Sequence, residues 1–505
     1  MLSLVKIAFF LIIVEWLSRY LRQRPNGPRW RDSDCATPPS LPSRDAFFNL
    51  DNVKDMLQTL AENRRIRSIY EQSHKYGWTH QWWPFGTRLI QTSDPKIVLF
   101  IHAIEPEKFG IAPQRENATG PLIGHGLITS DEPIWSFMRP LLKPIFTRTQ
   151  ISDRVAFDIH VSRFMDLLPV DGSTINLRPL LESLILYASS EFIFGESFDS
   201  QMPIGERDPN KSIDSRSFID AFNYGMKEVG KRIIFGKLSF LIRDPLFWSS
   251  CRFVQDTTRA HIERVMRQIH TSGNQPTDTE GSRSKTTLLR ELLEKTQDLD
   301  VLCSQLLNVF FAGRDAPAIA LTSIFFILSR HPQVWAQIRQ EVQGLQPENL
   351  FFEKLKSLRY VQHTISEVFR LYPPLANNSR ICLQEAILPS GGGADGTSPI
   401  RVFPRDTISV SYYTLHRRAD FFEDPEVFRP ERWQTLRTTW EFLPFAGGPR
   451  HCPAQQLALF WIGYVVVRMA LRFRELKNMD PVNDFVEEVK LNLQSRNGAI
   501  VALIV

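Results

Sequence analysis

Residues 442–460, FLPFAGGPRHCPAQQLALF, decide how the chain is read. Cys452 follows a Gly-Gly-Pro turn, stands two residues after Arg450, and precedes Pro453 and a strongly apolar run. Proline suits the first position of a helix, where its missing N–H would have no intrahelical partner anyway. The stretch therefore predicts a turn followed by a helix over 454–473, with the sulfur at its start. Helix-start amides and a nearby guanidinium both stabilise a sulfur anion, so Cys452 is placed to act as a thiolate. The remaining cysteines, Cys35, Cys251, Cys303 and Cys382, are scattered and form no C-x-x-C pair, which argues against a disulfide framework or a zinc site.

A thiolate in that setting suits the axial position of a haem iron. The spacing F-x-x-G-x-R-x-C resembles the cysteine-ligand loop of the cytochrome P450 family, with Phe445, Gly448, Arg450 and Cys452 in register and Ala454 where the family usually has a last glycine. The resemblance implies a haem cofactor with its axial thiolate from Cys452, and Phe445 and Arg450 beside it.

Three further motifs stand in the family's order. In HTISEVFRLYPPL (363–375), Glu367 and Arg370 lie three apart on one face of a helix that stops before Pro373-Pro374. An isolated pair of that kind would be a surface ion pair of a few tenths of a kcal/mol, roughly. Downstream, EDPEVFRPERW (423–433) places Arg432 where the family's P-E-R motif completes a buried Glu-Arg-Arg network. In DEPIWSFMRP (131–140), Trp135 and Arg139 have W-x-x-x-R spacing, about one helical turn. By resemblance those two hold a haem propionate, and Arg380 and Arg450 are propionate ligands as well.

The apolar stretch 298–330 reads as one helix roughly 50 Å long at about 1.5 Å per residue, interrupted by FFAGRDAPAIA (310–320). A proline in a helix interior costs roughly 3 kcal/mol, so a bend is expected at Pro317. Pro317 also has no N–H for the carbonyl of Gly313, which is left free to bind water. By resemblance this helix crosses the haem face, Ala312 and Gly313 leave a groove for dioxygen, and Asp315 is the acid of the family's A-G-x-D-T-T motif. Ala316 stands where the first threonine should be. The expected proton path therefore runs through Asp315, ordered water or a substrate hydroxyl. Asn308, one turn before Ala312, is read either as a substrate or water contact or as a polar group bonded within the fold; Arg314 is read as a partly buried salt-bridging residue without a catalytic role.

The whole chain supports this frame. Its 505 residues are 43% hydrophobic and 23% charged, ordinary for a globular protein, and helical patterns dominate over short alternating stretches such as ISVSYYTLH (408–416). The expected fold is mainly α with a minor β component: a single large cytochrome P450 fold over 46–505. A net charge of +5 without clustered Lys and Arg gives no support for nucleic-acid binding. Residues 1–20 begin with about eighteen mostly apolar residues interrupted by Lys6 and Glu15, and Arg19, Arg22 and Arg24 follow. This predicts a single transmembrane anchor with the catalytic domain on the cytosolic side. Residues 21–45 read as a Pro-rich linker, and 271–285 and 389–399 as surface loops.

The wording of several stretches, AGRDAPA and FRPERW among them, is most similar to fungal alkane- and fatty-acid-hydroxylating members and their secondary-metabolism relatives. The resemblance implies a monooxygenase at the endoplasmic-reticulum membrane. It would use O2 and an NADPH-dependent cytochrome P450 reductase to oxidise a C–H bond of an elongated, largely apolar small molecule. The alternative is an NADPH-independent isomerase or dehydratase acting on a peroxide or pre-oxidised substrate.

Overall fold

The computed structural model describes residues 34–45, 48–143, 145–146, 154–198, 213–271 and 287–505. The expected anchor over 1–20, most of the linker and nearly all of the 271–285 loop lie outside the described residues. The chain divides into two compact units: one takes residues up to Gly110, Ala376–Pro425 and Thr438–His451, the other Ile111–Leu375, Glu426–Arg437 and Cys452–Val505.

The first unit is built on a five-stranded sheet ordered Thr79–Trp82, Leu89–Thr92, Thr407–Ser411, Asn377–Cys382, Phe109–Gly110. The Leu89–Thr92 and Thr407–Ser411 strands are parallel and the other neighbours antiparallel. The helices Leu50–Ala61 and Arg65–Tyr76 belong to the same unit. Two sequence expectations change here. Residues 389–399 are not simply a loop: the strands Ala386–Gly392 and Ser398–Val402 pair as a hairpin, leaving 393–397 as its turn. The linker also ends earlier than residue 45. Ala36 N–H donates to the Pro399 carbonyl, Gly393 N–H to Thr37 and Gln81 N–H to Pro39, each at 2.8–3.0 Å, and Leu41 is buried with Val53 and Trp82. A Cβ on Gly392 would lie 2.4 Å from the Ala36 carbonyl oxygen. The glycine run thus permits the close approach of two backbones. The alternating stretch 408–416 is strand only to Ser411; the Ser411 side chain accepts from Thr414 N–H and starts the short helix Tyr412–Leu415.

The second unit is mainly helical, with a three-stranded antiparallel sheet of Asp171–Asn176, Ile500–Ile504 and Glu475–Asn478. Several of its helices start on side chains that satisfy orphan N–H groups. Asn176 caps Leu177–Phe194, Asp214 caps Ser215–Phe235, and Asp298 caps Leu299–Gly313. The helix Ala316–Leu328 is apolar all round, and every residue from Pro317 to Leu328 is buried, as such a helix must be in water. Among the described residues, Leu299–Leu328 is long and apolar enough to cross a membrane, but 67% of its most apolar window is buried inside the fold. A cluster of Phe194, Phe198, Phe218, Phe222 and Phe310, with edge-on and stacked rings 5.0–6.2 Å apart, locks three of these helices together.

The expected single helix over 298–330 is in fact two, Leu299–Gly313 and Ala316–Leu328. The break falls at Arg314–Asp315, before the proline. Pro317 thereby sits within the first turn of the second helix, where a missing N–H costs nothing. Across the break, Arg314 N–H still donates to the Phe310 carbonyl at 3.2 Å, and Ile319 N–H to Asp315 at 2.9 Å.

Candidate functional site

In the second unit Cys452 is partly buried, and the helix Gln455–Arg472 starts just after it, two residues later than Pro453 would suggest. Burial pushes the Cys452 thiol above its ordinary value, while a hydrogen bond from Ala454 N–H and the positive charge of Arg139 pull it down. Arg139 in turn is lowered by desolvation and raised by Cys452. Trp135 and Arg139 both lie in the helix Ile134–Leu142, and both are partly buried.

The Glu367–Arg370–Arg432 set is brought together and fully enclosed. Glu367 and Arg370 are 0% exposed. Arg370 Nη2 donates to Glu367 Oε1 at 2.8 Å and its Nε to Oε2 at 3.0 Å; Arg432 Nε donates to Oε1 at 2.9 Å. The sequence reading did not include two further donors, Trp433 Nε1 to Oε2 at 2.9 Å and the Arg429 N–H to Oε1 at 3.0 Å. Nor did it include the Val427 carbonyl, which accepts from the Nη2 atoms of both arginines. Trp433 directly follows Arg432 in the P-E-R-W sequence, and that adjacency was the available signal. Burial raises the Glu367 carboxyl, but its hydrogen bond and ion pair with Arg370, the Arg429 amide and the Arg432 charge outweigh this and hold it below the ordinary value.

At the helix break Ala312 is exposed, and a Cβ built on Gly313 would meet nothing within 4 Å. Asp315, 36% exposed, accepts from Arg314 Nε at 2.8 Å. Arg314 Nη2 donates to Asn223 Oδ1 at 2.6 Å, and its guanidinium lies 5.2 Å from the Phe222 ring centre and 5.8 Å from that of Phe310. Asn308 is settled as a group bonded within the fold. Its Oδ1 accepts from Ile128 N–H at 3.0 Å, and its Nδ2 donates to the Ile123 and Ser304 carbonyls.

In the first unit Arg380 is buried on the strand Asn377–Cys382, donating to Asn378 Oδ1 at 3.2 Å and to the Ser379 carbonyl at 3.1 Å. Phe445 and Arg450 are partly buried in the turn that ends this unit at His451. That turn is held by His451 N–H on the Gly448 carbonyl at 3.1 Å and by Leu443 N–H on His416 Nε2 at 2.9 Å. Gly448 has φ +70°, and a Cβ there would come within 1.8 Å of the His102 carbonyl oxygen. His102, which the sequence reading did not single out, is buried between the Val98 carbonyl and the Tyr412 hydroxyl. Desolvation, and then the charge of Arg380, holds it well below the usual histidine range.

A cysteine sulfur at a helix start, a carboxylate buried among arginines and a broken helix are the features that the haem-thiolate reading of the sequence expects. The cytochrome P450 family model matches residues 49–500. A cytochrome P450 monooxygenase himC of Aspergillus japonicus is 34% identical, covering 92% of this chain and 82% of the relative. A cytochrome P450 monooxygenase fsdH of Fusarium heterosporum is 32% identical over 90% and 81%, and cytochrome P450 52A13 of Debaryomyces hansenii is 32% identical over 83% and 82%. The chain belongs to the cytochrome P450 family: it is an oxidoreductase whose cofactor is haem, with iron held by a cysteine thiolate. The donor set at Cys452 fits that cofactor, because an amide N–H and a guanidinium charge both favour the anionic sulfur. The Aspergillus japonicus and Fusarium heterosporum relatives are named monooxygenases, which does not favour the isomerase or dehydratase alternative.

Proposed function

We propose that the protein is a membrane-anchored monooxygenase of fungal secondary metabolism that hydroxylates or further oxidises a C–H bond of an elongated, largely apolar substrate of alkyl, fatty-acyl or polyketide-like character. Electrons come from NADPH through a separate cytochrome P450 reductase, and residues 1–20 anchor the chain in the endoplasmic-reticulum membrane with the catalytic part facing the cytosol. When bound, the haem supplies dioxygen activation and the oxidising power.

The observation that carries this reading is the environment of Cys452, whose sulfur accepts the Ala454 N–H beside the charge of Arg139. Cys452 is the axial ligand. By the family resemblance Trp135, Arg139, Arg380 and Arg450 bind propionate carboxylates, and Phe445 packs beside the cofactor. Glu367, Arg370 and Arg432 form a fixed ionic frame: with five donors on one carboxylate, none of these side chains can turn without breaking buried charge-assisted hydrogen bonds. Ala312 and Gly313 keep backbone and open space at the helix break. Asp315 holds a proton-accepting carboxylate there, positioned by Arg314 Nε.

The reduced carbon-monoxide spectrum of the full-length enzyme tests this. A Soret band at the thiolate-ligated position is expected, together with its loss in Cys452→Ala and substrate oxidation that requires both NADPH and reductase. A spectrum without that band, or one indifferent to Cys452→Ala, rejects the proposal.

A further inference from the structure

We propose that Asn308 is a positioning residue of the substrate site: it fixes residues 124–128 along the helix Leu299–Gly313 and so sets the edge of the surface exposed at Ala312, and with it the bulk of molecule that fits there. This deepens the function proposed above and rests on it, since it names what limits the width of the substrate.

Ser304, Asn308 and Ala312 follow one another at intervals of four residues, so they form one stripe of that helix, with about 6 Å of rise between them. Residues 124–128 run along its first two positions. A Cβ on Gly124 would strike the Ser304 side chain, and one on Gly126 would lie 2.5 Å from Asn308 Nδ2. Glycine at both positions lets the backbone lie directly on the helix. Ala312, the next position of the stripe, is exposed. The covered part therefore stops at Asn308, with Leu127 and Ile128 at the end of the covering segment.

Asn308 decides where that segment stops. The residue is 1% exposed. Its Oδ1 accepts from Ile128 N–H at 3.0 Å, and its Nδ2 donates to the Ile123 carbonyl at 2.9 Å and, on its own helix, to the Ser304 carbonyl at 2.8 Å. One carboxamide thus grips both ends of the segment, and the bond to Ser304 keeps it from turning. The segment moves as a piece, because the Thr129 hydroxyl accepts from Gly126 N–H at 2.8 Å and donates to the Gly124 carbonyl at 3.0 Å. Both Nδ2 hydrogens are used within the fold, so Asn308 acts through the segment it holds and not by touching a ligand.

The test uses the full-length holoenzyme and two probes, imidazole and the bulky 1-benzhydrylimidazole. Their dissociation constants are measured by equilibrium dialysis of labelled probe alongside the Soret shift, and amide hydrogen exchange is followed over residues 124–128. Asn308→Leu keeps the bulk but removes the amide; exchange in the segment should rise about tenfold or more, the effect of losing a net hydrogen bond. The dissociation constant of the bulky probe relative to imidazole should fall about fivefold or more, with imidazole itself changed by less than about twofold. Gly126→Ala leaves Asn308 in place and pushes the segment off it, so it should move both readouts the same way. The double variant should go no further than the larger single, because both substitutions undo one contact.

Unchanged exchange in both variants overturns the inference, and so does a probe ratio that stays within about twofold of wild type while exchange rises. Equal weakening of both probes, effects that add in the double variant, or a wild type that binds neither probe overturn it as well. If Asn308→Leu does not fold, Gly126→Ala decides by the same two readouts. Exchange and dialysis need no haem signal: loss of the thiolate band would reject the proposed function, while the probe ratio and the exchange rates would still decide the role of Asn308.

Discussion

Replacing Glu367 by alanine removes the acceptor of five hydrogen bonds at once and leaves Arg370, 0% exposed, and Arg432, whose side chain is 5% exposed, with their charges in the interior. Breaking a buried ion pair by deleting one partner costs about 3–5 kcal/mol, because the surviving charge is desolvated without compensation. Both arginines lose the carboxylate they share but keep the Val427 carbonyl as an acceptor, so the loss should fall within that range of about 3–5 kcal/mol. That is a large share of the roughly 5–15 kcal/mol that separates folded from unfolded domains.

The assay is urea denaturation followed by circular dichroism and haem absorbance together. Glu367→Ala is expected to lower the midpoint sharply and to yield little haem-loaded protein. Glu367→Met combined with Arg370→Met and Arg432→Leu removes every charge, so it should recover much of the stability that the single substitution loses.

The pH dependence carries the same signature. The folded-state carboxyl of Glu367 is held below the ordinary glutamate value of 4.5. Its contribution is therefore complete above about pH 4.5 and is lost as pH falls through the lower folded value. Glu367→Gln should lose that part of the acid-induced destabilisation. A Glu367→Ala protein that loses less than about 1 kcal/mol, or a Glu367→Gln protein with an unchanged acid limb, would refute the account of a buried, structure-holding carboxylate.

Two further outcomes are expected. Gly448→Ala places a methyl carbon 1.8 Å from the His102 carbonyl oxygen at a φ of +70°, so the turn before Cys452 must move; haem content per protein should fall severalfold, and a normally loaded variant would show that the close approach is not required. Asp315→Asn keeps the size of the side chain but removes the charge that Arg314 Nε grips at 2.8 Å. Product formed per NADPH oxidised should fall about tenfold or more with a hydroxyl-free substrate, and tight coupling in that variant would remove Asp315 from the proton path.

The sequence by itself determined the features whose partners lie within a turn or two along the chain. Phe445, Gly448, Arg450 and Cys452 are read from one loop, Glu367 and Arg370 from one helical face, and Trp135 and Arg139 from another, because turn chemistry and helix periodicity fix local geometry almost regardless of surroundings.

What only the tertiary structure decided are contacts between distant segments. Pro317 pointed to a bend, but the break moved to Arg314–Asp315, where Arg314 is gripped by Asn223, 91 residues away. Asn308 was equally suited to a ligand or to the fold until the backbone of Ile123 and Ile128 used its amide. The glycine run at 391–393 looked like a loop until Ala36 packed against it. His102 acquired meaning only from Gly448 and Tyr412, more than 300 residues on. In each case the sequence set the donor or the conformational freedom, and packing of remote segments chose the partner, since burial leaves few buried polar groups unmatched and admits only the arrangement that matches them.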